Sequence, residues 1–148
     1  MKKIIYLIIL FFFMTYNFSF SKEIFLSLKK EKVNVRYGPG FDYPIKYVYN
    51  KLNLPIKLID KKDNFRRIID QKKNSGWIHV SQLKKANSII ILEDKILFLK
   101  PSIFSKPISL IKEGRLLLIK KCNNQWCRVK SGNYLGWIIT DNVWGTLK

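Results

Sequence analysis

Three side chains in the sequence carry chemistry that could support catalysis or metal binding: the single histidine, His79, and two cysteines, Cys122 and Cys127. A thiolate beside an imidazole forms a nucleophile–base pair, but no third group that would orient such a pair is recognisable. One C-x₄-C pair offers too few ligands for zinc, and its spacing differs from the C-x-x-C of redox proteins. We therefore expect no catalytic residue, no metal and no cofactor, and we expect His79 to be a surface or half-buried residue of a strand.

The two cysteines enclose the four residues Asn-Asn-Gln-Trp. A hairpin with a loop of this length sets Cys122 opposite Cys127, at a Cα separation compatible with a disulfide. An even cysteine count in an exported chain favours the bond. Two reduced thiols flanking a turn are the alternative interpretation.

The chain is strongly basic, and the charge has two explanations. Its 148 residues include 28 Lys+Arg and 10 Asp+Glu, which gives a net charge of +18. Such a charge attracts anionic partners, but 23 Lys and 21 Ile against one Ala are also typical of an AT-rich genome. Nucleic acid as the partner would require stacking aromatics interleaved with the charges on one face. We expect no nucleic-acid partner.

The first 21 residues are typical of a signal peptide. Lys2 and Lys3 precede an apolar run over 4–14, which is too short to span a bilayer. Ser19 and Ser21 then supply small residues before a cut between Ser21 and Lys22. The pattern predicts a periplasmic or secreted protein that contacts the membrane only through this segment before cleavage. An uncleaved N-terminal anchor is the alternative.

After residue 22 the sequence consists of short apolar or alternating runs separated by Gly, Pro, Asn or Asp. Runs of four or five residues rich in Ile, Val and aromatics predict an all-β barrel or sandwich with at most short helical turns. The runs are Val33–Arg36, Ile45–Tyr49, Pro55–Ile59, Phe65–Ile69, Trp77–Val80, Ile89–Leu92, Ile96–Leu99, Ile108–Ile111, Leu116–Ile119, Trp126–Val129 and Trp137–Thr140.

The sequence after the predicted signal peptide contains an internal repeat of about sixty residues. Residues 64–68 match 125–129, and Gly76-Trp77-Ile78 matches Gly136-Trp137-Ile138, so the landmarks keep order at offsets of 61 and 60 residues. A unit of about sixty residues with five short strands is the size of a minimal barrel, and packing two together would stabilise both. The predicted domains are 22–85 and 86–148, which leaves no room for a separate catalytic domain.

The motifs of these units resemble those of the bacterial SH3 (SH3b) domain, in the exported tandem form found in proteobacteria. In the first unit the resemblance rests on the segments Val33–Gly40, Tyr43–Ile45 and Gly76–His79. In the second it rests on 122–129, 136–138 and 143–145. The second unit departs from the pattern, because Phe98 stands where the pattern has Arg and Lys100 where it has Gly. The segment Gly38-Pro39-Gly40 predicts a turn at the start of a loop, since Pro fixes φ and Gly accepts positive φ.

The resemblance implies two tandem SH3-like barrels that recognise peptidoglycan peptides or an envelope protein partner through a groove of the first barrel. Tyr37, Tyr43 and Trp77 would form the groove wall and Arg36 an anion contact, with Trp137 as the equivalent candidate in the second barrel. Each tryptophan could instead close its barrel core, and Arg36 could merely stack on Tyr37. The competing function is that of a basic envelope-surface or scaffolding protein that binds anionic polymers electrostatically. The oligomeric state is not predicted.

Overall fold

The computed structural model describes residues 23–145. The predicted signal peptide and its cleavage site lie outside the described residues. Among the described residues no helix has the length and apolarity that crossing a membrane requires. One 3₁₀ turn, Val80–Gln82, interrupts fourteen strands: β1 Phe25–Leu28, β2 Lys32–Arg36, β3 Ile45–Asn50, β4 Pro55–Lys62, β5 Phe65–Ile69, β6 Ser75–His79, β7 Leu83–Lys85, β8 Ser88–Ile91, β9 Lys95–Phe98, β10 Pro107–Ile111, β11 Leu116–Asn123, β12 Trp126–Ser131, β13 Tyr134–Ile139 and β14 Val143–Gly145.

The strands form two seven-stranded sheets with the same topology. The first has the order β3-β2-β6-β5-β4-β1-β7, and the second has the order β10-β9-β13-β12-β11-β8-β14. Each strand of the second sheet therefore occupies the place of the strand seven elements earlier. The repeat predicted from the sequence is a structural repeat.

Each sheet surrounds one hydrophobic core. In the first sheet, buried side chains such as Val33, Ile56, Ile68 and Ile78 form a single cluster to which all seven strands contribute. The second sheet does the same around a separate cluster. A flat sheet cannot bring all of its strands to one cluster, so each sheet is wrapped into a small barrel. The predicted fold class, all-β with two tandem SH3-like barrels, is confirmed.

Seven strands per unit are present, not the five predicted. All eleven predicted runs lie in or overlap strands, but β1, β7 and β14 were missed. These strands have three or four residues, and β7 is Leu-Lys-Lys. Pairing with neighbouring strands, rather than a local apolar pattern, holds them in place: β1 pairs with β4 and β7, and β14 pairs with β8. The predicted boundary between residues 85 and 86 stays a prediction.

Equivalent hairpins in the two barrels turn at residues in the left-handed region. Asp63 between β4 and β5 has φ 47°, and Asn124 between β11 and β12 has φ 51°. Asp and Asn tolerate this conformation better than other side chains. The second hairpin sets Cys122 directly opposite Cys127, and a disulfide joins them. The predicted pairing is therefore present, and the alternative of two reduced thiols is not.

Strand β8 is buried on both faces and connects the two barrels. Ile89 and Ile91 point into the core of the second barrel. Ile90 points the other way, is 1% exposed and belongs to the core cluster of the first barrel. Leu116 and Trp144 of the second barrel pack against the same cluster. The second barrel thus closes one side of the first core.

Polar contacts fix the position of this seam. The hydroxyls of Ser27 and Ser88 lie 3.0 Å apart, and both residues are fully buried. The indole Nε1 of Trp144 donates to the carbonyl of Pro55 at 3.0 Å, and its ring stands edge-on to Phe25 at 5.2 Å. Each buried polar group at these positions has a partner, which removes the desolvation penalty that an unpaired group would carry.

We expect Ile90→Ala to destabilise both barrels together, because it opens a cavity at the seam. The expected loss is about 3 kcal/mol of unfolding free energy, measured by urea denaturation. Ile96→Ala removes the same atoms from a side chain that is 46% exposed, and should cost less than about 0.5 kcal/mol. Equal losses in the two variants, or a two-step transition of the unmodified chain, would contradict the seam as a shared core.

Reducing the disulfide should lower the free energy of unfolding by about 2 kcal/mol, because the bond closes only a short loop in the unfolded chain. Urea denaturation with and without a reductant measures the difference. The Cys122→Ala/Cys127→Ala variant is the control and should not respond to the reductant. An unmodified chain whose midpoint ignores the reductant would rule the contribution out.

Candidate functional site

Trp77 lies between two arginines on the outer face of the first barrel. It is directly opposite Arg36 of β2 on one side and Arg67 of β5 on the other. Residues directly opposite each other in a sheet project from the same face, so the three side chains form a row, which we call the Trp77 row. Trp77 is half-buried, because its neighbours Gly76 and Ile78 take the inward positions of β6. The row combines a flat apolar ring with two permanent positive charges.

Arg36 holds the loop of residues 37–44 against the barrel. Its Nη1 donates to the backbone carbonyls of Phe41 at 3.1 Å and of Tyr43 at 2.6 Å. Its Cζ also lies 5.5 Å from the centre of the Phe41 ring. Phe41 in turn packs against Phe65 and His79, with ring centres 5.2 and 5.0 Å apart. One nitrogen of Arg36 is thereby committed to loop geometry, and its role as an anion contact stays a prediction.

The Gly38-Pro39-Gly40 segment starts this loop, as predicted, but for a different physical reason. Neither glycine has a positive φ. The ring of Tyr43 instead lies directly over Gly38, in the space that a Cβ would occupy. Gly38 is therefore required for the close approach of Tyr43, whose side chain remains 43% exposed.

The other tyrosines divide between the surface and the core. Tyr37 is 62% exposed and has the Nζ of Lys46 5.5 Å from its ring centre. Tyr47 and Tyr49 pack against the first core instead, where Tyr49 donates to Asp70 at 3.0 Å. Burial raises the pKa of Tyr49, so it stays a hydrogen-bond donor. These two rings therefore serve the core.

Of the four residues predicted for the first barrel, Arg36, Tyr43 and Trp77 lie together. Arg36 joins the other two, because it contacts Tyr43 by a hydrogen bond and stands opposite Trp77. Tyr37 follows Arg36 at the start of the loop, where Lys46 covers its ring. Arg67 was not identified from the sequence. Because Arg67 follows Phe65 by two residues in β5, the two side chains lie on the same face of the strand.

Trp137 occupies the equivalent position in the second barrel, but its surroundings differ. It lies opposite Phe98 and Arg128, and the Nζ of Lys121 is 5.4 Å from its ring centre. In the first barrel Asp60 stands where Lys121 stands in the second, so that position supplies no cation to cover Trp77. The ring of Trp77 therefore has no counterpart of the lysine that lies over Trp137, and a carboxylate stands at the Arg67 end of the Trp77 row.

The only histidine and the two cysteines do not form a catalytic pair. His79 lies in the first barrel, where its Nδ1 is 2.8 Å from the hydroxyl of Ser81 and its ring packs on Phe65. Cys122 and Cys127 lie in the second barrel and are joined to each other. Within residues 23–145 no three His, Cys, Asp or Glu side chains are placed to hold a metal ion.

A buried lysine in the second barrel was not foreseen from the sequence. Lys95 is 8% exposed, and its Nζ lies 2.9 Å from Glu93 and 2.7 Å from Asp141. Burial lowers the pKa of Lys95, but the hydrogen bonds to Asp141 and Glu93 outweigh it and leave this pKa raised. The ammonium group therefore stays charged and forms an ion pair with each of the two carboxylates.

The fold is similar to parts of two solved structures. The NlpC2 protein of Trichomonas vaginalis aligns with a TM-score of 0.39 and 14% identity, over 86% of this chain and 50% of that one. NlpC1 of the same organism aligns with a TM-score of 0.39 and 14% identity, over 84% and 46%. The chain thus spans about half the length of each.

A search of curated proteins found no match. The family model of the bacterial SH3 domain, by contrast, matches this chain twice, over residues 29–85 and 97–145. Each match falls within one of the two barrels, and the first contains the whole Trp77 row. Together they cover more than half of the sequence, and the chain belongs to the bacterial SH3 domain family.

Proposed function

We propose that this is a non-catalytic, exported binding protein that recognises acidic peptides of the cell wall, or an envelope protein with an acidic segment, at the Trp77 row. The observation that carries the proposal is the placement of Trp77 between Arg36 and Arg67. Guanidinium groups bind carboxylates with charge-assisted, often bidentate hydrogen bonds. An indole face between them supplies apolar area for the intervening part of a peptide.

The loop of residues 37–44 supports a specific site rather than a diffuse one. Its carbonyls are held by Arg36, and Phe41 is packed onto the barrel. A loop held in this way loses little conformational freedom when a ligand binds. The entropy cost of ordering it therefore offsets less of the free energy gained from contacts with the ligand. The exposed Tyr43 ring stands at its edge, where it can extend the contact surface.

The predicted export of the protein supports the choice of ligand. The N-terminal segment is typical of an export signal, and an exported chain meets peptidoglycan peptides and envelope proteins rather than nucleic acid. The disulfide also favours an oxidising compartment. Peptidoglycan stem peptides carry free carboxylates, which suit the two arginines.

A second candidate function is electrostatic attachment to anionic envelope polymers without a specific site. The net charge of +18, to which the predicted signal peptide contributes only Lys2 and Lys3, favours it, as do exposed lysine pairs such as Lys61-Lys62 and Lys72-Lys73. A field of this kind acts over a distance that salt shortens to about 10 Å at 0.1 M. Salt dependence therefore separates the two functions.

Trp77→Ala should abolish retention of the protein on purified peptidoglycan, because the apolar centre of the row is lost. Arg67→Gln should weaken retention by about tenfold, the cost of one charge-assisted hydrogen bond. Pull-down at physiological and at high salt measures both, and circular dichroism checks that each variant is folded.

Trp137→Ala is the matched control, since it deletes the same side chain at the equivalent position of the second barrel. It should retain peptidoglycan as the unmodified chain does. If a folded Trp77→Ala variant binds as well as Trp137→Ala, the site is wrong. If high salt removes all binding of the unmodified chain, the electrostatic function is the correct one.

A further inference from the structure

The loop of residues 99–106, between β9 and β10 of the second barrel, displays apolar side chains to solvent. Phe104 is 92% exposed, Ile103 60% and Leu99 55%. Such apolar surface is unfavourable in water by an amount that scales with its area. A cluster of exposed apolar side chains is typical of an interaction site.

The phenylalanine of the equivalent loop in the first barrel, Phe41, is 66% exposed, less than the 92% of Phe104. There Arg36 holds the loop carbonyls, and Phe41 packs against the hairpin residue Phe65. The two barrels share strand order and repeat spacing. The first barrel therefore shows what the loop does when the family's arginine is present.

In the second barrel Phe98 stands at the position of that arginine and takes over the contact with the hairpin. Its ring centre is 5.7 Å from Trp126, the counterpart of Phe65. No guanidinium is left to hold the loop, and the place against the hairpin is filled. Phe104 consequently points into solvent. The departure from the family pattern produces an exposed apolar tip.

The backbone of this loop is hydrogen-bonded within itself. Lys106 O accepts from Leu99 N, and the hydroxyls of Ser102 and Ser105 accept from Phe104 N and Lys100 N. Two further bonds close the turn between 100 and 105. Peptide groups that are already paired are cheaper to transfer out of water than free ones. The tip is therefore suited to an environment less polar than water.

Positive charge flanks the tip. Lys100 and Lys106 are exposed, and neither forms an ion pair with a residue of the described chain. Asp94 and Asp141, which line a surface cavity together with Ile103, are each paired with a lysine: Asp94 lies 2.6 Å from Lys112, and Asp141 lies 2.7 Å from Lys95. An apolar tip between unpaired lysines is complementary to anionic lipid headgroups above hydrocarbon.

We propose that the loop of residues 99–106 docks the second barrel on a bilayer that carries anionic lipids. Ile103 and Phe104 insert below the headgroups, while Lys100 and Lys106 lie against lipid phosphates. A bilayer accepts a convex tip without a matching cavity, whereas a protein partner would have to supply one. The site is separate from the Trp77 row, so one barrel holds the membrane while the other faces its peptide ligand.

Co-sedimentation with vesicles tests the proposal, using residues 22–148 so that the apolar run of residues 4–14 does not itself bind lipid. The described strands all lie within this range. The protein should bind vesicles of equal parts phosphatidylcholine and phosphatidylglycerol, and bind phosphatidylcholine alone weakly. Ile103→Ser/Phe104→Ser should weaken binding by more than about a hundredfold, and Lys100→Gln/Lys106→Gln by about thirtyfold.

Matched controls lie in the first barrel. Lys61→Gln/Lys62→Gln removes the same charge, and Leu52→Ser removes an apolar side chain that is 41% exposed. Both should bind the mixed vesicles nearly as the unmodified chain does. Equal losses in loop and control variants, or no binding to the mixed vesicles, would overturn the proposal. So would a dimer in solution that depends on Phe104, because the tip would then cover itself with a second copy.

Discussion

Burial of β8 on both of its faces is the constraint on which the arrangement of the molecule depends. A strand that faces one core on each side cannot move relative to either, and Ile90 makes the second barrel part of the first barrel's interior. Trp144 and the Ser27–Ser88 contact add directional polar bonds to this packing. The two repeats therefore share part of their hydrophobic interior, although each has its own sheet.

One substitution explains much of the difference between the two barrels. With arginine at position 36, the loop that follows is drawn onto the barrel and lies beside Trp77. With phenylalanine at position 98, the aromatic contact with the hairpin comes from the strand, and Phe104 of the loop is 92% exposed. The same fold thus presents a charged aromatic row from one copy and an apolar tip from the other.

The sequence predicts the fold well, because the signals for strands, turns and the repeat lie in short stretches of neighbouring residues. Hairpins turn at residues such as Asp63 and Asn124 that tolerate the left-handed region, and the equivalent aromatics recur at a constant spacing. Contacts between the repeats leave no such local signal. From the sequence, Trp144 cannot be distinguished from an apolar residue of its own barrel, although it packs against the core of the other. Lys95 is likewise expected at the surface, yet it is buried and paired with two carboxylates. For the candidate site, spacing identified Trp77 and Arg36, but only strand register shows that Arg67 stands beside them.

The seam also has a consequence for how the chain is made. Strands β1 to β7 emerge from the ribosome first, yet their core is closed on one side by Ile90, Leu116 and Trp144. The core of the first barrel stays incomplete until residue 144 has been synthesised, so this barrel cannot reach its final stability alone. The first repeat therefore reaches its full stability only together with the second and not as an independent domain, unlike chains whose domains fold one after the other during synthesis.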